Sequence, residues 1–545
     1  MKTMIKSKIF DYLKKVIKEK IEIEVFVPEN EQFGHYSSNV ALKLATLARK
    51  NADLNAELRG KNPMQIAEEI KTALSSMIAR DFFEKIEVAT PGFINFWISE
   101  KVLQDELKEI LKKKQNYGKS AVRGQMSKVQ IEFISANPTG QLTIGNGRGG
   151  FFGDVLANIL KFAGYKVVKE YYVNDAKAST QIKELGKTAL GEGNIYKTKN
   201  LELIIKNLGE KLKNITDYGK AGNLLAREIQ KDNKKFIEKG LKINFDKWFS
   251  EESLYKNGAV EKLLDELKRK NLVYEKGGAL WMKTKDFGDN EDRVLVRASG
   301  EPTYFLPDMA YHLNKFKTRK FTQVIDIWGA DHHGYEPRLR AGLKALSIFE
   351  NGDGKFKVII TQLIRLIKEG KEVKMSKRNG EFITLDDLIK EVGLDATRFF
   401  FLMSSSDTHM NFDLSLAKER SMKNPVYYVQ YAAVRCGGIL RKSNVKYQKS
   451  RIKFDLLSTN EDLNLIRQLA RFSEVIKEAA NNYNPQILAR YSLDLAKTFH
   501  NFYEKERIMG AEENLMAARL ELIKATQVIF KNLFGLLGVS MPKKM

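Results

Sequence analysis

Residues 129–173 read VQIEFISANPTGQLTIGNGRGGFFGDVLANILKFAGYKVVKEYYV. Val129, Ile131 and Phe133 alternate as in a strand, and Asn137-Pro138-Thr139-Gly140 breaks it. Gly145, Gly147, Gly149 and Gly150 then open a helix with Phe152, Val155, Leu156, Ile159 and Leu160 on one face. A second strand, YKVVKEYYV, ends at Asn174-Asp175. Strand, glycine turn, helix and strand within ~45 residues make a βαβ unit, whose crossover forces the strands parallel. A second unit follows, with QVIDIWGAD, EPRLRAGLKAL and KFKVIIT as strand, helix and strand.

To either side the pattern changes. Residues 1–118 predict an α+β module: an opening helix through Ile5, Ile9, Leu13 and Val16, a second through Val40, Leu42 and Leu44, a helix start at Asn62-Pro63, and a strand-like IEVATPGFINFWIS. Residues 122–394 form the core, with a charged, mostly helical insertion at about 176–290. From 395 to 545 the period is helical. The expected fold is α/β and multidomain: a Rossmann-like parallel-sheet core, an α+β N-terminal domain and an all-α C-terminal bundle.

The balance of charge narrows the partners. Against 68 acidic residues stand 92 basic ones, a formal +24 that favours a polyanion. A single cysteine, Cys436, excludes an internal disulfide and a cysteine-built zinc site. No apolar run reaches the ~18–20 residues that span a bilayer. The basic start lacks a continuous apolar segment and a cleavage site, so a cytoplasmic protein without a membrane partner is expected.

Ligands of open parallel sheets bind beyond the carboxyl ends of the strands. There the glycine-rich turn offers free helix N–H groups to phosphate. It lacks the GxxxxGK[ST] of a P-loop, and a dinucleotide reading has little support. The second motif is VKMSKRNG, residues 373–380, where Lys374, Ser376 and Lys377 place two ammonium groups and a hydroxyl on a short segment. Thr384 and Asp387 make a capping-box start for the next helix and anchor it. A cationic loop suits a reaction that expels pyrophosphate.

With these motifs the chain resembles class I aminoacyl-tRNA synthetases, and specifically the bacterial arginyl-tRNA synthetases. The resemblance runs through EFISANPTGQLTIGNGRGG, EYYVNDA, PTYFLPDMAYHLNKF, IWGADHHGYEPRLRA, VKMSKRNGEFITLDDLI, DATRFFFLMSSSDTHMNFDL and LARYSLDLAKTFHNFY. It implies that arginine's carboxylate attacks the α-phosphate of ATP, and that the arginyl group then passes to the 3′ end of tRNA(Arg). ATP would bring Mg2+, with no tightly held protein metal, and the family suggests a monomer. The resemblance gives Thr143, Asn146, Lys374, Ser376 and Lys377 catalytic roles, and ATP contacts to Gly145, Gly147, Asp331, His333, Lys374, Met375 and Lys377. Tyr304 and Asp308 would take the guanidinium; Glu132 and Asn137 would take the amino and carboxylate end. Tyr36 and Asn39, in FGHYSSN, would meet the tRNA elbow. Tyr427, Gln430, Tyr431, Arg435 and Arg490 would lie in the anticodon-binding bundle.

From the residues alone, blander roles stay open: Tyr304 as core, Asp308 as a helix cap, Asn137 as a turn former, the bundle aromatics as filling. One departure from the family is plain. Where it carries histidines in a HIGH-type tetrad, this chain has Thr143-Ile144-Gly145-Asn146, whose donors are neutral. Two other readings therefore stand beside the enzyme. One is a catalytically silent tRNA-binding paralogue; the other is a small-molecule nucleotidyltransferase, which would not need the helical C-terminus.

Overall fold

The computed structural model describes residues 4–50, 58, 60–77, 81–119, 127–349, 356–373, 384–443 and 452–545. In the amino-terminal module α1 (Ile5–Val16) buries Ile5, Ile9 and Leu13, the positions its spacing marks. Strand β1 (Tyr36–Ser38) leads into α2 (Val40–Lys50) and α3 (Pro63–Ser76), followed by β2 (Phe83–Ala89) and β3 (Phe93–Ile98). The strands pair antiparallel in the order β1-β3-β2. The stretch 86–99 is thus a hairpin and not one strand: Pro91 has no N–H for a ladder, and the chain turns at Pro91-Gly92. Asn62 caps α3 and Gln65 reciprocates, a capping box with proline at the first helical position. Helix α4 (Glu100–Lys113) leaves this module and packs on the carboxyl-terminal helices.

The core begins with β4 (Lys128–Glu132), α5 (Ile144–Phe162) and β5 (Lys166–Val173). Helices α6 (Thr180–Ala189), α7 (Lys199–Leu208) and α8 (Tyr218–Lys235) form a small module with its own apolar cluster. Helices α6 and α8 touch backbone to backbone. A Cβ on Gly186 would lie 1.8 Å from the Tyr218 carbonyl, and one on Gly222 would lie 1.8 Å from that of Ile182.

The expected helical insertion needs correction beyond this point. Strand β6 (Lys247–Ser250) rejoins the sheet beside β5. After α9 (Glu252–Lys256) and α10 (Ala259–Arg269), the strands β7 (Val273–Lys276), β8 (Ala279–Met282) and β9 (Arg293–Val296) form an antiparallel meander. Their short runs, with few alternations, were lost among charged residues.

Helix α11 (Phe305–Leu313), β10 (Gln323–Gly329), α12 (Glu336–Ala345) and β11 (Phe356–Thr361) complete the core. Its sheet is wholly parallel, in the order β11-β10-β4-β5-β6. The order reverses at β4, between β10 and β5, and a crevice opens at their carboxyl ends.

The chain continues through β12 (Ile364–Lys368) and β13 (Lys371–Glu372), then α13 (Leu385–Val392), α14 (Leu394–Leu402), β14 (Met410–Asp413) and α15 (Leu414–Lys418). Thr384 and Asp387 form the expected capping box on α13. Strand β14 interrupts the helical period and pairs parallel with β12. The bundle is α16 (Pro425–Lys442), α17 (Asn460–Ala470), α18 (Phe472–Asn481), α19 (Gln486–Lys505) and α20 (Glu513–Leu537). One apolar cluster runs from α1 through α5 into α20, so the amino-terminal module, core and bundle share a continuous interior.

Candidate active site and nucleic-acid face

At the carboxyl end of β4 the backbone turns left-handed at Ile134 and Ser135, with φ of 68° and 37°. That is costly for a β-branched residue and persists only where neighbours over-determine it. Here they do. Ser135 Oγ donates to Glu132 (3.0 Å) and accepts from the Tyr172 N–H (3.1 Å), and Asn174 donates to the Ser135 carbonyl (3.1 Å). From α8, Gln230 donates to Ala136 O (3.0 Å) and Asn233 to Gly140 O (3.1 Å). The strained loop presents Asn137 to a cleft of about 630 Å³.

The opposite wall is the start of α5. Thr143 and Asn146 form a capping box: the Asn146 N–H donates to Thr143 Oγ1 (3.4 Å), and the Thr143 N–H and hydroxyl both donate to Asn146 Oδ1 (2.9 Å each). Thr143 also bridges to Thr384, and the Leu385 N–H donates to Leu142 O (3.0 Å). Thr384 and Leu385 are thereby stitched to the phosphate-type turn. Lys374, Met375, Ser376 and Lys377 lie outside the described residues. Gly145 and Asn146 line the cleft; Gly147 does not. A Cβ on Gly147 would meet Leu385 Cδ1 at 2.5 Å, so this glycine lets α13 approach.

The floor is acidic. Lys315, wholly buried, donates to Glu132 (2.6 Å) and Asp326 (2.9 Å), and His312 Nε2 meets Asp326 at 2.8 Å. Beside them Arg319 grips Glu170 with both terminal nitrogens, and the Tyr311 hydroxyl donates to Glu170 (2.6 Å). Three carboxylates are set against two cations before Asp308 and Glu251 are added. Asp308 lines the cleft and accepts from the Tyr335 hydroxyl at 2.7 Å; burial pushes its carboxyl above the ordinary range. Burial and the neighbouring Asp308 and Asp175 push Glu251 up to about 8. With Glu251 protonated at neutral pH, the carboxyl added at the cleft is that of Asp308, which a cationic, multi-donor ligand would hold ionised.

The expected residues fall differently on this frame. Glu132 is in the wall, but Lys315 and Ser135 already occupy its oxygens. Tyr304 is 59% exposed and is not core; its hydroxyl accepts from Arg338 at 2.7 Å, outside the cleft lining. Tyr335, not singled out beforehand, stands where that hydroxyl was expected. Asp331 lines the cleft together with His332, whereas His333 is exposed outside the lining. Glu251, His312 and Tyr335 were missed because each becomes notable only through a partner distant in sequence.

Three family descriptions match the chain in succession: the arginyl tRNA synthetase N terminal domain over residues 3–98, the class I (R) tRNA synthetase catalytic domain over 106–400, and the DALR anticodon binding domain over 429–545. The arginine–tRNA ligase of Listeria monocytogenes is 42% identical over 549 residues, covering 96% of this chain and 94% of that one. The chain belongs to the arginyl-tRNA synthetase family. The arginine–tRNA ligase of Caldanaerobacter subterraneus is likewise 42% identical, over 96% and 94% of the two chains. The Thermus thermophilus arginyl-tRNA synthetase structure shares the fold, with a TM-score of 0.77 at 21% identity over 99% of this chain and 100% of that one.

For an arginyl-tRNA synthetase, the bundle surface is the next feature of note. Tyr427 and Tyr431 stack at 6.2 Å and 9° on α16, and Arg435 lies over Tyr431 (4.8 Å) and over Tyr503 (4.4 Å) of α19. Arg490 is exposed. Two expected tRNA residues are internal instead. Gln430 is buried and ties Asp395 (3.0 Å) to Ser540 O (2.9 Å). Tyr36 is 1% exposed and donates to Glu474 of α18, fastening the amino-terminal module to the bundle. Asn39 is half-buried and donates to Glu24 at 3.3 Å.

Proposed function

We propose that this chain activates L-arginine with ATP to arginyl-adenylate and transfers the arginyl group to the 3′ end of tRNA(Arg), releasing AMP and pyrophosphate. One observation carries the reading: a single crevice has a cation-seeking end at Asp308 and Tyr335 and an anion-seeking helix start at Thr143–Asn146. The guanidinium is directed to Asp308 and Tyr335, with Tyr304 above them. Asn137 and the carbonyls of the strained loop face the amino and carboxylate end. ATP lies across Gly145, Asn146 and Asp331, and Lys374, Ser376 and Lys377 neutralise the leaving pyrophosphate. Holding carboxylate and α-phosphate in line supplies most of the catalysis.

Among the described residues no group of three or more His, Cys, Asp or Glu is placed to cage a metal. Mg2+ would arrive on the ATP phosphates. The division of labour is 1–118 for the tRNA elbow, 122–394 for chemistry and 395–545 for the anticodon. Among the described residues no helix is long and apolar enough to cross a membrane, and a cytoplasmic monomer is the working state.

The test is arginine-dependent ATP–pyrophosphate exchange with and without tRNA. Exchange that requires tRNA supports the proposal. The occupied Thr143–Asn146 cap favours one alternative: tight tRNA binding with no exchange for any amino acid would make the chain a silent paralogue.

A further inference from the structure

Arg148, on the second turn of α5, is 2% exposed, and its hydrogen bonds go to carbonyls, with Asp407 acting on its charge. Its guanidinium spends its donors on main-chain carbonyls of two separate segments. Nη1 donates to Gln362 (2.7 Å) and Leu363 (3.4 Å) in the turn between β11 and β12. Nη2 donates to Ser405 (2.6 Å) and Thr408 (2.8 Å) in the connector between α14 and β14.

Burying a cation is expensive, and carbonyl oxygens satisfy its hydrogens without cancelling its charge, which Asp407 in the same connector offsets only in part. Burial accordingly draws the Arg148 pKa down. The geometry gives that cost a purpose. Gln362 and Leu363 form part of the cleft wall opposite Gly145 and Asn146, and Leu363 is 64% exposed there, an apolar surface on a fixed backbone. A planar fork with donors to both sides suits joining two loops; an ammonium group, with one centre, does not.

We infer that Arg148 is a positioning residue for ATP: its carbonyl bonds lock the Gln362–Leu363 wall and the 405–408 connector onto the helix that begins at the phosphate turn. The substrate it serves rests on the synthetase reading. The arginine end of the cleft, built on α11 and the 134–140 loop, shares none of its bonds.

The test compares wild type, R148A and R148K in tRNA-supported ATP–pyrophosphate exchange, alongside equilibrium binding of ATP measured by calorimetry. R148A is expected to raise the ATP KM and Kd about tenfold or more while the arginine KM stays within about twofold. Added methylguanidine should recover part of the ATP KM, and R148K should fall between the two proteins. If R148A does not fold, R148K alone must show the selective rise in ATP KM. An unchanged ATP KM and Kd, or equal rises for ATP and arginine without rescue, would overturn the inference. Loss of exchange in the wild type, with ATP binding still sensitive to Arg148, would instead count against the synthetase reading alone.

Discussion

Asp308 gives the cleft its acidic end, and Glu251 is buried beside it. Replacing Asp308 with Asn removes a charge-assisted partner from the guanidinium. D308N is therefore expected to raise the arginine KM ~10–100-fold with little change for ATP, as read in exchange assays. Because the Tyr335 hydroxyl donates to Asp308 while that of Tyr304 faces Arg338, Y335F should cost more arginine affinity than Y304F. Equal losses would return Tyr304 to the pocket. Glu251 titrates at about 8 in the folded chain, above its ordinary value of 4.5. Its protonated form is the one burial favours, so its contribution is fully present below pH 4.5 and is lost as pH rises towards 8. E251Q should then melt higher than wild type at pH 9 and nearly level with it at pH 4.5. A constant difference in melting temperature between those pH values would refute this.

At the scale of elements, the 134–140 loop stays in its left-handed turn because α8 holds it. Gln230 and Asn233 are buried polar residues with donors aimed at its carbonyls. Helix α8 is itself seated by the Gly186–Gly222 crossing with α6. A methyl group at Gly222 has no room, since its nearest neighbour is a carbonyl at 1.8 Å. G222A is expected to destabilise by ~1–3 kcal/mol or more. Hydrogen exchange should speed first in α6 and α8, with the arginine KM rising as the loop loosens. Uniform exchange across the core would show that α6–α8 is not a separately stable unit. The pairing of β12 with β14 works in the same way on the other side of the cleft, binding the strand before the 374–383 segment to the connector that leads into the bundle.

Across the whole molecule, the amino-terminal module and the bundle are fastened together behind the core. Glu474 accepts from the Lys6 N–H (2.8 Å) and from the Tyr36 hydroxyl, and Tyr117 donates to Ala470 O (3.2 Å). On the proposed function the outer faces receive tRNA. With a formal +24, association should fall steeply with salt. Stacking and charge are separable on α16. Y431A should weaken tRNA binding by ~1–3 kcal/mol at every salt concentration. R435A should reduce the slope of log affinity against log salt by about one phosphate contact. Both variants behaving alike would mean that the Tyr427–Tyr431–Arg435 ladder only packs against Tyr503.

Periodicity and glycine–proline punctuation act within ~20 residues, and on that range the sequence alone determined much. The βαβ core, α1, the capped starts of α3 and α13, and the helical character of the bundle follow from it. So does the cleft's location at the carboxyl ends of the strands. Short strands escaped: β6 and β14 have four residues each, and only a neighbour in the sheet makes a strand of them. The site divided along the same line. Asn137, Gly145, Asn146, Asp308 and Asp331 were legible because each belongs to a motif at a strand end or helix start. Tyr335 hydrogen-bonded to Asp308, Lys315 occupying Glu132, Tyr36 turned inward and Arg148 spanning two loops were decided only by the tertiary structure. A side chain's partner is set by which surface is left free once the helices have packed, and that depends on burial and contacts between residues hundreds of positions apart.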